Sequence, residues 1–437
     1  MTFPLRQVVL ASLVTLGAVL PLHADLLAYV GKPDPAFKWE KQSEKQAAFG
    51  TITDLRMTSQ VWQGITWEHR VEVFRPKVLT APDACVLLIT GGNGGTETDQ
   101  MGMMLASQIG CTFAILFNIP NQPLFGDLHE DGLIAYTFQR FFETGDESWP
   151  LLFPMVKSAL RAMDALQAFA PEQWKQPITR FVVTGASKRG WTTWLTGAAD
   201  PSRVVAIMPM VYDNLNLAKQ MPHQLEVWGK YSVQIDDYTK LGIQAKMNTE
   251  RGHYLSKMVD PYTYMDRLKM PKLIINGSND PYWAQDALNI YWGDLKGEKR
   301  VLYVPNGAHS LGDLQRVANT ATGFARAVLN KQTPPRLTWN HDDAGANARL
   351  TVHAAPSAKQ ACIWVARAPV QDFRECKWES VPMKLVDNEA RDATAFVGEV
   401  ARPDTGYMAL YGEVTFEQDK RSFTFSTQIR IVKPQVK

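Results

Sequence analysis

Between Ala84 and about Leu329, short apolar runs alternate with longer amphipathic stretches. The runs are Cys85–Thr90, Thr112–Asn118, Phe181–Thr184, Val204–Pro209, Lys272–Asn276 and Arg300–Val304. Among the stretches between them, Met155 to Ala170 carries Met155, Leu160, Met163, Leu166 and Phe169 at helical spacing. Strands alternating with helices predict a mainly parallel sheet covered by helices on both faces. Ahead of this block, residues 25 to about 75 hold an entry segment and two strands, Thr51–Gln60 and Thr66–Phe74. Within it, residues 211–270 lose the strand alternation and hold Trp228, Tyr231, Tyr238, Tyr254, Tyr262 and Tyr264, which predicts a helical insertion. After Pro334-Pro335 the period shortens to that of strands: Ala348–His353, Ala361–Ala366, Ala393–Glu399, Met408–Val414 and Ser422–Val432. Turn residues at these spacings, with a Tyr407 placed like a tyrosine corner, predict an immunoglobulin- or fibronectin-type β-sandwich over residues 333–437. The preceding unit spans residues 25–332.

The candidate chemistry sits where predicted strands end. The run Phe181 to Thr184 leads into Gly185-Ala-Ser-Lys-Arg-Gly190 and then a helical segment from Arg189 to Thr196. Strand, tight turn and helix with serine at the apex form a nucleophile elbow, in which small neighbours leave room for Oγ. The second glycine comes one residue later than in G-x-S-x-G. A serine hydroxyl needs an imidazole to take its proton and a carboxylate to orient that imidazole. Asp280 ends the turn after Leu273-Ile-Ile-Asn-Gly-Ser-Asn, and His309 ends the turn after Val301-Leu-Tyr-Val-Pro-Asn-Gly-Ala. The order Ser187, Asp280, His309 is that of an α/β-hydrolase. The insertion at 211–270 is then a cap over the site. Asp213, also just past a strand, is the second candidate for the acid. Gly91-Gly-Asn-Gly-Gly95 follows another strand; Gly92 or Asn93 there, with the backbone N–H of Lys188, are the expected oxyanion donors. Trp228 and Trp283 are candidates for the substrate wall, while Trp191 and Trp194 are expected in the helix–sheet core. Each residue alone has a plainer reading: a turn serine, an aspartate capping a helix before Pro281, a solvated loop histidine. Their order after three separate strands favours the catalytic one.

Composition narrows the setting. A net charge of +2 without a basic tract gives no reason to expect nucleic acid as a partner. Residues 1–24 read as a secretory signal, with Arg6, an apolar stretch from Val8 to Leu20, and Pro21-Leu-His-Ala24 before the cleavage point; an uncleaved anchor is the other reading. No later stretch is apolar for long enough to span a bilayer, so a periplasmic or secreted protein is expected. Four cysteines suit export, and the favoured pairing is Cys85–Cys111 and Cys362–Cys376, with free buried thiols as the alternative. The absence of zinc spacing predicts no metal, and no other cofactor is expected.

Four segments, Glu130-Asp-Gly-Leu-Ile-Ala-Tyr-Thr137, Pro154-Met-Val-Lys-Ser-Ala-Leu-Arg-Ala-Met-Asp164, Gly185-Ala-Ser-Lys-Arg-Gly-Trp191 and Asn276-Gly-Ser-Asn-Asp-Pro281, resemble those of the PhoPQ-activated pathogenicity-related proteins. The resemblance implies an exported α/β-hydrolase-like protein linked to virulence or cell signalling. The serine followed by basic residues is also similar to the elbow of glucuronoyl esterases, which implies that Lys188 or Arg189 helps hold an oxyanion. The expected activity is hydrolysis of a carboxylic ester of a small molecule, glycan or peptide through an acyl-enzyme. The alternatives are an amidase or peptidase, and a binding or signalling protein that keeps the hydrolase fold and meets a protein partner through its C-terminal strands and its cap.

Overall fold

A computed structural model describes residues 25–386, 393–418 and 420–434; the expected leader lies outside them. A short helix, α1 (Leu26–Gly31), is capped by Asp25, whose carboxylate accepts from the Ala28 amide. Three long strands follow, β1 (Lys38–Ala47), β2 (Gly50–Trp62) and β3 (Ile65–Pro76), each antiparallel to the last. β1 reads Lys-Trp-Glu-Lys-Gln-Ser-Glu-Lys-Gln-Ala and is largely exposed. Among the described residues it pairs only with β2, at the sheet edge, where charged side chains discourage pairing with another chain. Its lack of apolar alternation is why its sequence reads as an entry segment.

The strand–helix block then runs β4 (Ala84–Ile89), α2 (Thr96–Ile109), β5 (Thr112–Leu116), α3 (Glu130–Thr144), α4 (Leu152–Trp174), β6 (Arg180–Ala186), α5 (Lys188–Ala199), β7 (Val204–Met210), a helical insertion, β8 (Lys272–Gly277), β9 (Lys299–Val304) and a last helix at Leu314–Leu329. The insertion holds α6 (Leu217–Trp228), α7 (Asp236–Lys240), α8 (Ile243–Lys246) and α9 (Glu250–Val259); the last helix is α10. Spatially the strands run β2-β3-β5-β4-β6-β7-β8-β9, with β3 alone reversed, which is the α/β-hydrolase arrangement. Side-chain alternation divides the core between the two faces. Cys85, Leu87 and Ile89 of β4 pack with α3, α4 and α5, while Val86 packs with α2 and α10.

The C-terminal strands do not stand apart from this sheet. β10 (Leu337–Ala344), β11 (Asn347–Ala354), β12 (Ala358–Ala368), β13 (Glu379–Pro382), β14 (Lys384–Val386), β15 (Thr394–Ala401), β16 (Tyr407–Gln418), β17 (Arg421–Ser426) and β18 (Arg430–Val432) make two sheets. One is four-stranded, β10-β11-β15-β14; the other continues the central sheet through β9-β17-β16-β12-β13. The junction is antiparallel, with Ser426 opposite Val301, and the Ser426 hydroxyl accepts from the Tyr303 amide at 3.0 Å. The whole sheet is therefore mixed rather than mainly parallel: its parallel part, β5 to β9, lies between antiparallel ribbons.

The expected disulfides are not formed; all four thiols are free. In the parallel register Cys85 lies level with Thr112, so Cys111 points to the opposite face and joins the other core. Burial pushes both thiols up, that of Cys111 to about 12, which leaves them unreactive. Cys362 faces Glu413 and Pro382 within β12, whereas Cys376 is on the β12–β13 loop with its thiol toward the Arg367 carbonyl.

Candidate active site

β6 hands over to α5 in a single residue. Ser187 takes φ 59° and ψ −124°, a backbone state that costs a residue with a side chain on the order of 1–3 kcal/mol. The turn is tied down by the Ser187 amide donating to the Met210 carbonyl of β7 at 2.9 Å. A Cβ at Gly185 would lie 2.8 Å from the Arg189 carbonyl oxygen, and one at Gly190 would lie 2.6 Å from the Met210 oxygen. The displaced glycine thus marks where the first turn of α5 passes over the end of β7.

Ser187, His309 and Asp280 come together at the carboxyl ends of β6, β9 and β8. His309 Nε2 is 2.9 Å from Ser187 Oγ, and Nδ1 is 2.8 Å from Asp280 Oδ2. Asp280 is buried, and its other oxygen accepts from the Tyr282 amide at 3.0 Å. The Tyr282 ring covers the imidazole, with centroids 4.1 Å apart. This chain of contacts can pass a proton from hydroxyl to imidazole while a carboxylate fixes the ring.

The basic residues after the serine are engaged elsewhere. Arg189 grips Glu130 at the start of α3 through two bonds of 2.6 and 2.7 Å, and its Nε donates to the Ile119 carbonyl. Burial would raise the Glu130 carboxyl, yet Arg189 and Lys188 hold it at about 2. The guanidinium also packs on Gly91, where a Cβ would lie 1.8 Å from Nη2. Arg189 is therefore a brace between α5, α3 and the glycine-rich loop, with Nε, Nη1 and Nη2 each donating to Ile119 or Glu130. Lys188 Nζ bonds Asp131 at 2.8 Å and Glu130 at 3.2 Å. Tyr238 from the insertion adds a hydrogen bond to Asp131 at 3.1 Å. Nothing in the residue pattern marks this cluster except that Glu130-Asp131 opens a helix. Gly92 and Asn93 are exposed; their carbonyls accept from the Asn118 amide and the Arg70 guanidinium.

A cavity of about 420 Å³ opens on Ser187 and Lys188 beneath the insertion. Trp283, Tyr231 and Tyr238 are in its lining. Trp228 does not: it stacks under Arg374 of the β12–β13 loop, 4.0 Å from guanidinium carbon to ring. Trp191 belongs to the core and to the cavity wall at once, stacked on Tyr212 with centroids 5.0 Å apart, whereas Trp194 is wholly in the core. Tyr254, Tyr262 and Tyr264 instead hydrogen-bond Glu147, Asp294 and the Met258 carbonyl. Asp213, the second candidate acid, is buried and receives the Tyr291 hydroxyl at 2.6 Å.

The family model for PhoPQ-activated pathogenicity-related proteins matches residues 26–374. Autocrine proliferation repressor protein A of Dictyostelium discoideum is 33% identical over 443 residues, covering 92% of this chain and 89% of that protein. Two solved acetyl xylan esterases are similar. That of a Thermoanaerobacterium species is 15% identical with a TM-score of 0.44, over 69% of this chain and 91% of that one. That of a Paenibacillus species is 15% identical with a TM-score of 0.48, over 65% and 86%. A glucuronoyl esterase of Solibacter usitatus is 13% identical with a TM-score of 0.40, over 69% and 91%.

Proposed function

Since the chain belongs to the PhoPQ-activated pathogenicity-related protein family, we propose that it is an exported serine hydrolase that cleaves a carboxylic ester through an acyl-enzyme. The contact chain from Ser187 Oγ through His309 to Asp280 is the observation that supports this most. In the proposed reaction His309 takes the Ser187 proton as Oγ attacks the ester carbonyl. The resulting oxyanion is held by the Lys188 amide at the α5 N-terminus and by a donor from the Gly92–Asn93 loop. His309 then protonates the departing alcohol, and a water repeats the sequence to release the acid. We assign the catalysis to residues 25–332, with the cap at about 211–270, and read 333–437 as an immunoglobulin-like β-sandwich that shares the central sheet through the β9–β17 junction. Among the described residues no helix is long and apolar enough to cross a membrane.

The test is a fluorophosphonate probe, which phosphonylates an activated serine. Labelling of the wild-type protein that is lost in Ser187→Ala, with ester hydrolysis down by about 10³-fold or more, is the expected result. A folded wild-type protein that resists the probe and hydrolyses no ester would favour the second reading, a signalling protein on a hydrolase scaffold. That reading has one specific support, the proliferation-repressor name of the Dictyostelium relative.

A further inference from the structure

The cavity beside Ser187 bears on which half of an ester it holds and how large that half is. Its walls include Ser187, Lys188 and the Tyr282 ring, but not His309, which lies under that ring. In serine acyl transfer the leaving alcohol must sit against the imidazole that protonates it, while the acyl group stays on Oγ. A cavity that meets the nucleophile away from the imidazole is placed for the acyl group.

Its size and lining then define that group. Leu217 and Met221 of α6, Ile235 before α7, Ile243 of α8, Met247 after it and Trp283 line it with apolar side chains, together with Trp191 and Tyr212 of the core. The polar lining includes the buried Asn214 and two further groups. One is the Asp131–Lys188–Tyr238 group beside the serine; the other is Gln244, Asn248, His253 and Ser256 on the α8–α9 stretch. An acetyl group would fill a small fraction of this space. The volume of about 420 Å³ is several-fold more than an acetyl group needs and leaves room for a medium-length acyl chain.

Resting on the hydrolase reading above, we propose that the substrate is an ester of a bulky, apolar acyl group, seated under the cap. Its hydrocarbon contacts Met221, Ile235 and Trp283. Ser187 attacks its carbonyl carbon, and the alkoxide that departs takes its proton from His309. Each buried methylene adds binding that persists into the transition state, so specificity rises with chain length until the cavity is full.

The experiment measures kcat/KM for p-nitrophenyl esters from acetyl to dodecanoyl, below their micellar concentrations, with alkyl acetates of matching length as the converse series. The expected result is a rise of about 30-fold or more from acetyl to octanoyl, with no comparable rise across the alkyl acetates. Met221→Trp, which fills the cavity, is expected to lower the octanoyl-to-acetyl ratio by about tenfold. A flat or acetyl-preferring series, or a preference for long alkyl acetates, overturns the acyl assignment. If that happens while the fluorophosphonate still labels Ser187, the hydrolase reading survives alone. If labelling and hydrolysis both fail, the underlying reading falls and this inference with it.

Discussion

At the scale of single residues, strain and buried charge gather on one edge of the sheet. Ser187 is held in a costly backbone state by the β7 carbonyl and by glycines that leave no room for relaxation. Beside it Asp213 is buried, and burial, reinforced by Asp280 and Asp286 against the Tyr291 hydroxyl, pushes its carboxyl up to about 7. Its unfolded value is 3.8, so the native state binds the proton more tightly. The stability this residue contributes is full below about pH 4 and is lost as pH rises through 7. Asp213→Asn keeps a neutral acceptor for Tyr291 and removes that loss. Thermal melts at pH 8 are expected to show Tm raised by about 2–4 °C, with little change at pH 4. An unaltered pH slope in the variant would contradict the assignment.

At the scale of elements, what was legible depended on whether a function leaves a local pattern. Ser187, Asp280 and His309, which the fold brings into contact, could be singled out because each follows an apolar strand and carries side-chain chemistry. The Asp131–Lys188–Tyr238 cluster could not, because it joins α3, α5 and the insertion, far apart in the chain. Trp228 misled for the same reason: an aromatic in a cap looks alike whether it faces substrate or, as here, Arg374. The β12–β13 loop that supplies Arg374 also holds the turns of Asp280 and His309. Asn279, next to Asp280, donates to the carbonyls of Phe373, Arg374 and Cys376 at 3.2, 3.0 and 2.7 Å. Asn306, on the turn before His309, exchanges two hydrogen bonds with the Trp378 backbone. Asn279→Ala releases the first clamp without touching the reacting atoms. Steady-state kinetics on the best ester should show kcat lower by about 10–100-fold with KM nearly unchanged. A rise in KM alone would mean that the loop shapes the binding pocket instead.

At the scale of the molecule, the strand pattern past Pro334 was readable as two sheets' worth of β-structure, but not the continuity of one of them with the central sheet. Continuity depends on which edge meets which, and here the β17 edge meets β9 because other contacts press it there. Phe423 of β17 packs over Gly323 of α10, where a Cβ would lie 3.0 Å from its ring. Arg316 of α10 pairs with Glu413 of β16 at 2.5 Å, and burial raises that carboxyl. Arg421 donates to the Gln108 carbonyl at the end of α2. Removing residues 333–437 would therefore expose the β9 edge and the apolar face of α10, and would free the turns that carry Asp280 and His309. An exposed, unpaired edge beside an apolar face favours association between chains. The truncated protein is expected to aggregate and to lose fluorophosphonate labelling, and the full chain to unfold in one calorimetric transition. A soluble, labelled fragment ending near residue 332, or two resolved transitions, would show instead that the C-terminal strands are an appended unit and that the clamps on Asn279 and Asn306 are dispensable.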